Sequence, residues 1–193
     1  MKKQVVVIAG PSGSGESTIT NEIISRFPNR VKRLVTATTR PPRVGEKSGV
    51  DYYFFTKEEF EREKKSGAIL ESTYIKNRDT YYGTYAPDLR AKIDSGNIII
   101  VNPDIVGARY YKARYNAITI FIIPESIDSL ESRIRERNPE LSYPEIARRR
   151  ANGEEEIRNE KSFYDYSVVN ADGKLEQAVE ETVDILKKEG YNL

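Results

Sequence analysis

Val5-Val6-Val7-Ile8-Ala9-Gly10-Pro11-Ser12-Gly13-Ser14-Gly15-Glu16-Ser17-Thr18 is the stretch that decides the fold. Its first five residues are apolar without alternation, the pattern of a strand buried on both faces of a parallel sheet. Its last residues open an amphipathic segment running to Arg26. Between them, three glycines and two serines form a turn whose backbone N–H groups can close around an anion. The start of the following helix adds partial positive charge to the same spot. Strand, glycine-rich turn and helix in that order are the setting in which nucleotide phosphates are bound. Gly10, Pro11, Ser12, Gly13, Ser14, Gly15, Glu16, Ser17 and Thr18 are therefore the candidate nucleotide-phosphate site. The Ser17 hydroxyl is the candidate to join the shell of a Mg²⁺ ion carried by those phosphates.

One residue contradicts that chemistry. Position 16 of the usual pattern is a lysine that reaches the β- and γ-phosphates, and here it is Glu16. At about 4 Å and an effective dielectric of about 20, one pair of unit charges is worth roughly 4 kcal/mol, so turning attraction into repulsion is a swing of several kcal/mol. Much weaker use of ATP is expected. Three origins remain open: an isolated change at this position, a naturally inactive relative, or a rewired site in which Mg²⁺ bridges Glu16 and phosphate. The first is preferred, because the rest of the loop keeps its character and one base change separates the lysine and glutamate codons.

Working outward, apolar runs at Ile98 to Val101 and Ile118 to Ile123 repeat the strand signal. Each is followed by a helix-like segment, at about Asp104 to Ala113 and Ile127 to Arg137. This alternation predicts an α/β fold with a central parallel sheet. A last helix over Lys174 to Lys188 places Leu175, Ala178, Val179, Thr182 and Leu186 on one face and is expected to pack on that sheet. Residues 37 to 85, rich in Tyr and Thr with one short helix near Lys57 to Ser66, break the rhythm, as does the polar stretch Asn138 to Tyr143. Both are expected to be insertions. At 193 residues with 38% hydrophobic side chains the chain supports one well-buried core. Its 31 Lys and Arg against 30 Asp and Glu give no general field for nucleic acid or a membrane surface, so any anion site is local. The lack of Cys and His excludes disulfides, thiolate zinc sites, imidazole bases and cysteine nucleophiles. Met1 to Gln4 leads directly into the first strand with no signal-type apolar region, and the cytoplasm is the expected compartment.

The segment Val35-Thr36-Ala37-Thr38-Thr39-Arg40-Pro41-Pro42-Arg43, then Gly45-Glu46 and Gly49-Val50-Asp51-Tyr52, resembles the nucleoside monophosphate lobe of guanylate kinases. The resemblance continues through Glu71, Tyr81-Tyr82-Gly83-Thr84, Asp104 with Gly107, and the arginine-bearing helices after Pro124, and so spans nearly the whole chain. It implies a P-loop three-layer αβα domain. The core would be 1–36 and 97–193, the monophosphate-binding lobe about 37–96 and the lid about 138–148. It also implies ATP and GMP as substrates, Mg²⁺ with the ATP, and phosphoryl transfer to give ADP and GDP.

Residue by residue, it assigns Arg40 and Arg43, three apart with planar donor forks, to the monophosphate. Tyr52 and Tyr82 would donate hydroxyls to it. Glu71 would accept from the N1–H and 2-amino group of guanine, donors that adenine lacks. Thr36 and Thr84 would help hold the base, and Asp104 belongs to the same pocket. Arg133, Arg137 and Arg149 would close over the phosphates, and with Glu16 and Arg40 they form the candidate catalytic set. Arg149 is expected to start the charged helix beyond the polar insertion. Two departures concern detail: Asn102 stands where the family strand usually ends in aspartate, and Glu71 to Tyr81 is slightly long. The alternative is a module that binds GMP or a phosphorylated peptide without catalysis, which Glu16 favours.

Overall fold

The computed structural model describes residues 3–193. Five parallel strands form the central sheet: β1 (Val5–Ala9), β2 (Val31–Arg33), β7 (Ile98–Val101), β8 (Ile118–Pro124) and β9 (Tyr166–Asn170). Their order is β2-β7-β1-β8-β9, so the glycine-rich loop leaves the middle strand. Residues alternate between two apolar layers. Val6, Ile8, Ile100, Ile120, Ile122 and Val168 pack on Ile19 and Ile23 of α1 (Glu16–Arg26) and on Ala178, Val179, Val183 and Leu186 of α7 (Leu175–Lys188). Val5, Val7, Ile99, Val101 and Phe121 pack on Leu89 of α3 (Ala86–Asp94) and on Ala108 and Tyr111 of α4 (Ile105–Tyr115). Continuous apolar strands are what a sheet covered on both faces demands, and the result is the expected αβα sandwich.

The first insertion folds into a second sheet, ordered β4-β3-β6-β5. Its strands are β3 (Ala37–Thr38), β4 (Tyr53–Phe54), β5 (Ile69–Ile75) and β6 (Thr80–Tyr85). Helix α2 (Lys57–Lys65) begins in a capping box between Thr56 and Glu59 and buries Phe60 against Ala37 and Ile69. The lengthened segment is the tip of the β5–β6 hairpin, a 3₁₀ turn at Lys76–Arg78 closed by a Tyr74 hydroxyl bond to Asp79 of 2.7 Å.

In the second half, α5 (Ile127–Arg137) and α6 (Tyr143–Glu160) pack through Leu130, Ile134 and Ile146. Arg149 does not start α6; it lies in its second turn, because the helix already begins at Tyr143 with Pro144 in its first turn. The five residues 138–142 alone connect the two helices. The short strands β2 and β9 and the whole second sheet carry no long apolar run, and periodicity does not single them out.

Candidate functional site: a phosphate loop beside an acidic cavity

Gly13 and Gly15 take left-handed backbone, φ 97° and 95°, which bends the loop around its own interior. A Cβ on Gly15 would also lie 2.2 Å from Asn170 Nδ2. That amide donates to the Ser14 carbonyl at 2.8 Å and ties the loop to the end of β9. Arg133 reinforces the tie. Its guanidinium donates to the Asn170 carbonyl (2.8 Å), to the Ser14 carbonyl (3.4 Å) and to Asp172 (2.5 and 2.9 Å). Glu16 is the first residue of α1, and its carboxylate folds back over the loop: Ser14 Oγ donates to Oε2 at 3.1 Å and Ser17 Oγ to Oε1 at 3.3 Å. The carboxylate therefore engages the hydroxyl expected to face a metal, and it does so as the loop's own anion.

A shallow cavity of about 310 Å³ opens here, lined by Gly13, Gly15, Glu16, Ser17, Thr18, Arg133 and Arg137. Gly10 and Ser12 line a neighbouring one of about 320 Å³ with Glu16, Asp104, Glu156 and Glu160. The donors beside the phosphate site are oxygens, the Ser17 hydroxyl and the Glu16 carboxylate. These suit a hard divalent cation that keeps most of its waters and enters with phosphates. No cluster of three or more Asp or Glu that would hold a metal by itself occurs among the described residues.

A further cavity, about 470 Å³, lies between the lobe, the carboxyl end of the central sheet and α6. It gathers Ser12, Thr36, Tyr52, Glu71, Tyr82, Thr84, Asp104 and Arg149 from the sequence-predicted set. Glu71 is the anchor of its floor. Thr84 Oγ1 donates to Glu71 Oε1 at 2.6 Å, and a short hydrogen bond joins Thr84 to the Tyr111 hydroxyl, which is 1% exposed. Thr84 has one proton, and it goes to Glu71, so the Tyr111 hydroxyl donates to Thr84. The Thr84 proton is thus aimed at the carboxylate and not into the cavity. Burial, assisted by Asp104, raises the Glu71 carboxyl above its ordinary range, and the Thr84 bond opposes this.

Asp104 caps α4 by accepting from Gly107 N at 2.9 Å. Asn102 donates to the Ile8 carbonyl (2.8 Å) and Thr20 (3.0 Å), and its Oδ1 is buried without a partner among the described residues. Arg78, Thr73, Asn152 and Glu156 also line the cavity and carried no motif. Burial, with Glu160, Glu16 and Glu155 nearby, pushes the Glu156 carboxyl up to about 7.

Arg40 and Arg43 lie outside the cavity lining. Both nitrogens of the Arg40 fork engage Glu46, at 2.6 and 2.7 Å, and the guanidinium stacks 4.9 Å from the Tyr52 ring centroid. Arg40 and the Arg43 amide hold the Glu46 carboxyl down to about 2. Among the consecutive arginines of α6 the structure discriminates. Arg148 is exposed, Arg150 is bound to Asp128 (2.8 Å) and Glu131 (2.7 Å), and Arg149 reaches the cavity with its Nε buried and without a partner among the described residues.

A covered parallel sheet with a glycine-rich loop leaving its middle strand defines the P-loop kinase fold. A family model described as Guanylate kinase matches residues 2–189, and the chain belongs to the guanylate kinase family. It is 39% identical to a guanylate kinase of Symbiobacterium thermophilum, over 97% of this chain and 86% of that protein. It is 36% identical to one of a Synechocystis species, over 98% and 96%. The crystal structure of guanylate kinase from Anaplasma phagocytophilum superimposes with a TM-score of 0.74 at 26% identity, covering 100% of this chain and 89% of that one.

Proposed function

We propose that this protein transfers the γ-phosphoryl group of ATP to GMP, giving ADP and GDP, with turnover restrained by Glu16. The observation that carries the substrate assignment is the hydrogen-bonded series Tyr111, Thr84, Glu71 on the floor of the 470 Å³ cavity. It fixes a carboxylate as an acceptor beside the phosphate loop, and guanine offers the two donors such an acceptor needs. Adenine offers neither.

In the reaction, an oxygen of the GMP phosphate forms a bond to the γ-phosphorus as the bond to the β–γ bridging oxygen breaks. Phosphoryl transfer of this kind asks the protein for position and charge more than for covalent chemistry. The loop from Gly10 to Thr18 holds the ATP phosphates, with Arg133 fixing its shape. Tyr52, Tyr82 and Arg40 face the monophosphate end, Arg40 reaching it by exchanging Glu46 for phosphate. Arg137 and Arg149 approach from α5 and α6 as the lid at about 138–148 closes over the core and the lobe at about 37–96, which excludes water. Mg²⁺, bound by the ATP phosphates with the Ser17 hydroxyl, would neutralise charge developing between the nucleotides.

Coupled GDP formation across a panel of nucleoside monophosphates, with calorimetric titration of GMP, tests the proposal. Turnover or binding selective for GMP is expected, and indifference to GMP would end the substrate assignment. A second reading is favoured by one contact, the Glu16 carboxylate on Ser14 and Ser17: a module that keeps the GMP site and has lost ATP. GMP binding with no turnover, even after Glu16→Lys, would establish it.

A further inference from the structure

Strand β2 ends on Arg33, paired with Ile100 of β7 at the edge of the sheet from which the phosphate loop also emerges. Its side chain turns towards the first turn of α1. There Nη2 donates to the Ser17 carbonyl and to Asn21 Oδ1, both at 3.2 Å. Arg33 Nε is buried and has no acceptor among the described residues. A buried donor without a partner is uncommon in a folded protein, and a ligand that brings the acceptor is one of the few explanations. Burial lowers the pKa of the guanidinium below the arginine norm, while the nearby Glu16 carboxylate and Tyr52 hydroxyl oppose that fall. An arginine stays charged regardless. Arg33 therefore lies within electrostatic reach of both Glu16, in the phosphate loop, and Tyr52, in the monophosphate cavity.

Of the other nearby cations three are committed, and two come from the α5–α6 half, Arg137 lining the same cavity as Glu16. Arg40 is engaged by Glu46, Arg133 by Asp172 and Arg150 by Asp128 and Glu131. Arg137 and Arg149 belong to α5 and α6. Arg33 alone among these approaches from the β2 side of α1, the side on which the loop turns into the helix carrying Glu16.

We propose that Arg33 supplies the positive charge that position 16 does not: its Nε–H, unpaired among the described residues, and its Nη1 donors meet a phosphate oxygen of the bound ATP beside the Glu16 carboxylate. The proposal rests on the guanylate kinase reading for its ligand. It makes Glu16 and Arg33 an interdependent pair, a cation moved from the helix start to the end of a neighbouring strand. Under it, a lysine restored at position 16 makes Arg33 largely redundant.

A four-protein cycle tests this: the parent, Arg33→Leu, Glu16→Lys and the double variant, with Arg33→Lys as the conservative control. For each, the affinity for ATP with Mg²⁺ is read by calorimetry, kcat/KM for ATP by coupled GDP formation, and folding by the thermal midpoint. Loss of a charge-assisted phosphate contact predicts that Arg33→Leu weakens ATP binding and kcat/KM by about tenfold or more in the parent, and by less than about threefold beside Lys at 16. Arg33→Lys is expected to keep most of the parent affinity. Equal losses in both backgrounds, a change confined to the thermal midpoint, or a parent with no measurable ATP affinity would each overturn the proposal. Failure of the guanylate kinase reading shows separately, as GMP neither bound nor phosphorylated by Glu16→Lys.

Discussion

The two nucleotide-facing regions of this protein are built on opposite terms. In and around the monophosphate cavity, three charged groups of the predicted set are held by neighbours that orient them. Tyr111 and Thr84 hold Glu71, Glu46 holds Arg40, and Gly107 holds Asp104. In the phosphate loop the backbone is equally well held, by Asn170 and Arg133, yet the loop's own Glu16 takes the two serine hydroxyls. One region has charged groups held by neighbours, and the other has its hydroxyls taken by its own side chain. A well-held backbone and the charge presented on it are thus separate properties of the loop.

The largest effect should come from reversing that sign. Glu16→Lys is expected to raise kcat/KM for ATP by about two orders of magnitude or more, from a swing of several kcal/mol, while the GMP dissociation constant moves little. Steady-state kinetics with each nucleotide varied in turn checks this. A change shared equally by both substrates would erase the contrast between the regions.

Next in size, Glu71→Gln swaps one acceptor oxygen for a donor against guanine and should weaken GMP binding by about ten- to a hundredfold, with ATP affinity unmoved. Tyr111→Phe leaves Thr84 without its donor and should cost about threefold to tenfold in the same calorimetric titration. An effect of Tyr111→Phe as large as that of Glu71→Gln would mean that the tyrosine shapes the whole cavity.

A smaller effect concerns the element shared by both regions. A Cβ on Gly153 of α6 would meet Leu130 Cδ2 at 2.6 Å and Pro11 Cβ at 3.4 Å. Gly153→Ala should cost about 1–3 kcal/mol of stability through overpacking, read as a lowered denaturation midpoint. Loss of ATP and GMP affinity together would show that α6 couples the two sites.

The smallest effect is on the pH profile. The Glu156 carboxyl titrates at about 7 in the folded protein, above the ordinary carboxylate value of 4.5. Between those values the folded state binds more protons than the unfolded one. Its contribution is therefore full below about 4.5 and is lost as the pH rises through about 7. Thermal midpoints measured from pH 5 to 8 should fall less steeply for Glu156→Gln than for the parent.

Sequence reasoning reached the central sheet because β1, β7 and β8 are apolar throughout, and it reached the loop because glycine spacing carries its own geometry. The resemblance to guanylate kinases picked out Thr36, Tyr52, Glu71, Tyr82, Thr84 and Arg149, and the structure gathers these at one cavity. What sequence reasoning missed is physically of another kind. The pairing of Arg40 with Glu46 depends on a turn six residues long, and the proton of Thr84 is directed by Tyr111, 27 residues away. Arg33 ends a three-residue strand just before the quoted lobe segment and belongs to no motif itself, and only packing against α1 reveals a donor unpaired among the described residues. Glu156 differs from its neighbours Glu154 and Glu155 by helix phase alone, which matters only once the position of α6 is known.

The amide of Asn170 that braces the phosphate loop comes from a residue 156 positions further along the chain. During synthesis, the segment from Gly10 to Thr18 leaves the ribosome long before β9 exists, and until β9 pairs with β8 that bond is missing. A nascent chain cut short before Asn170 would carry the loop without this brace.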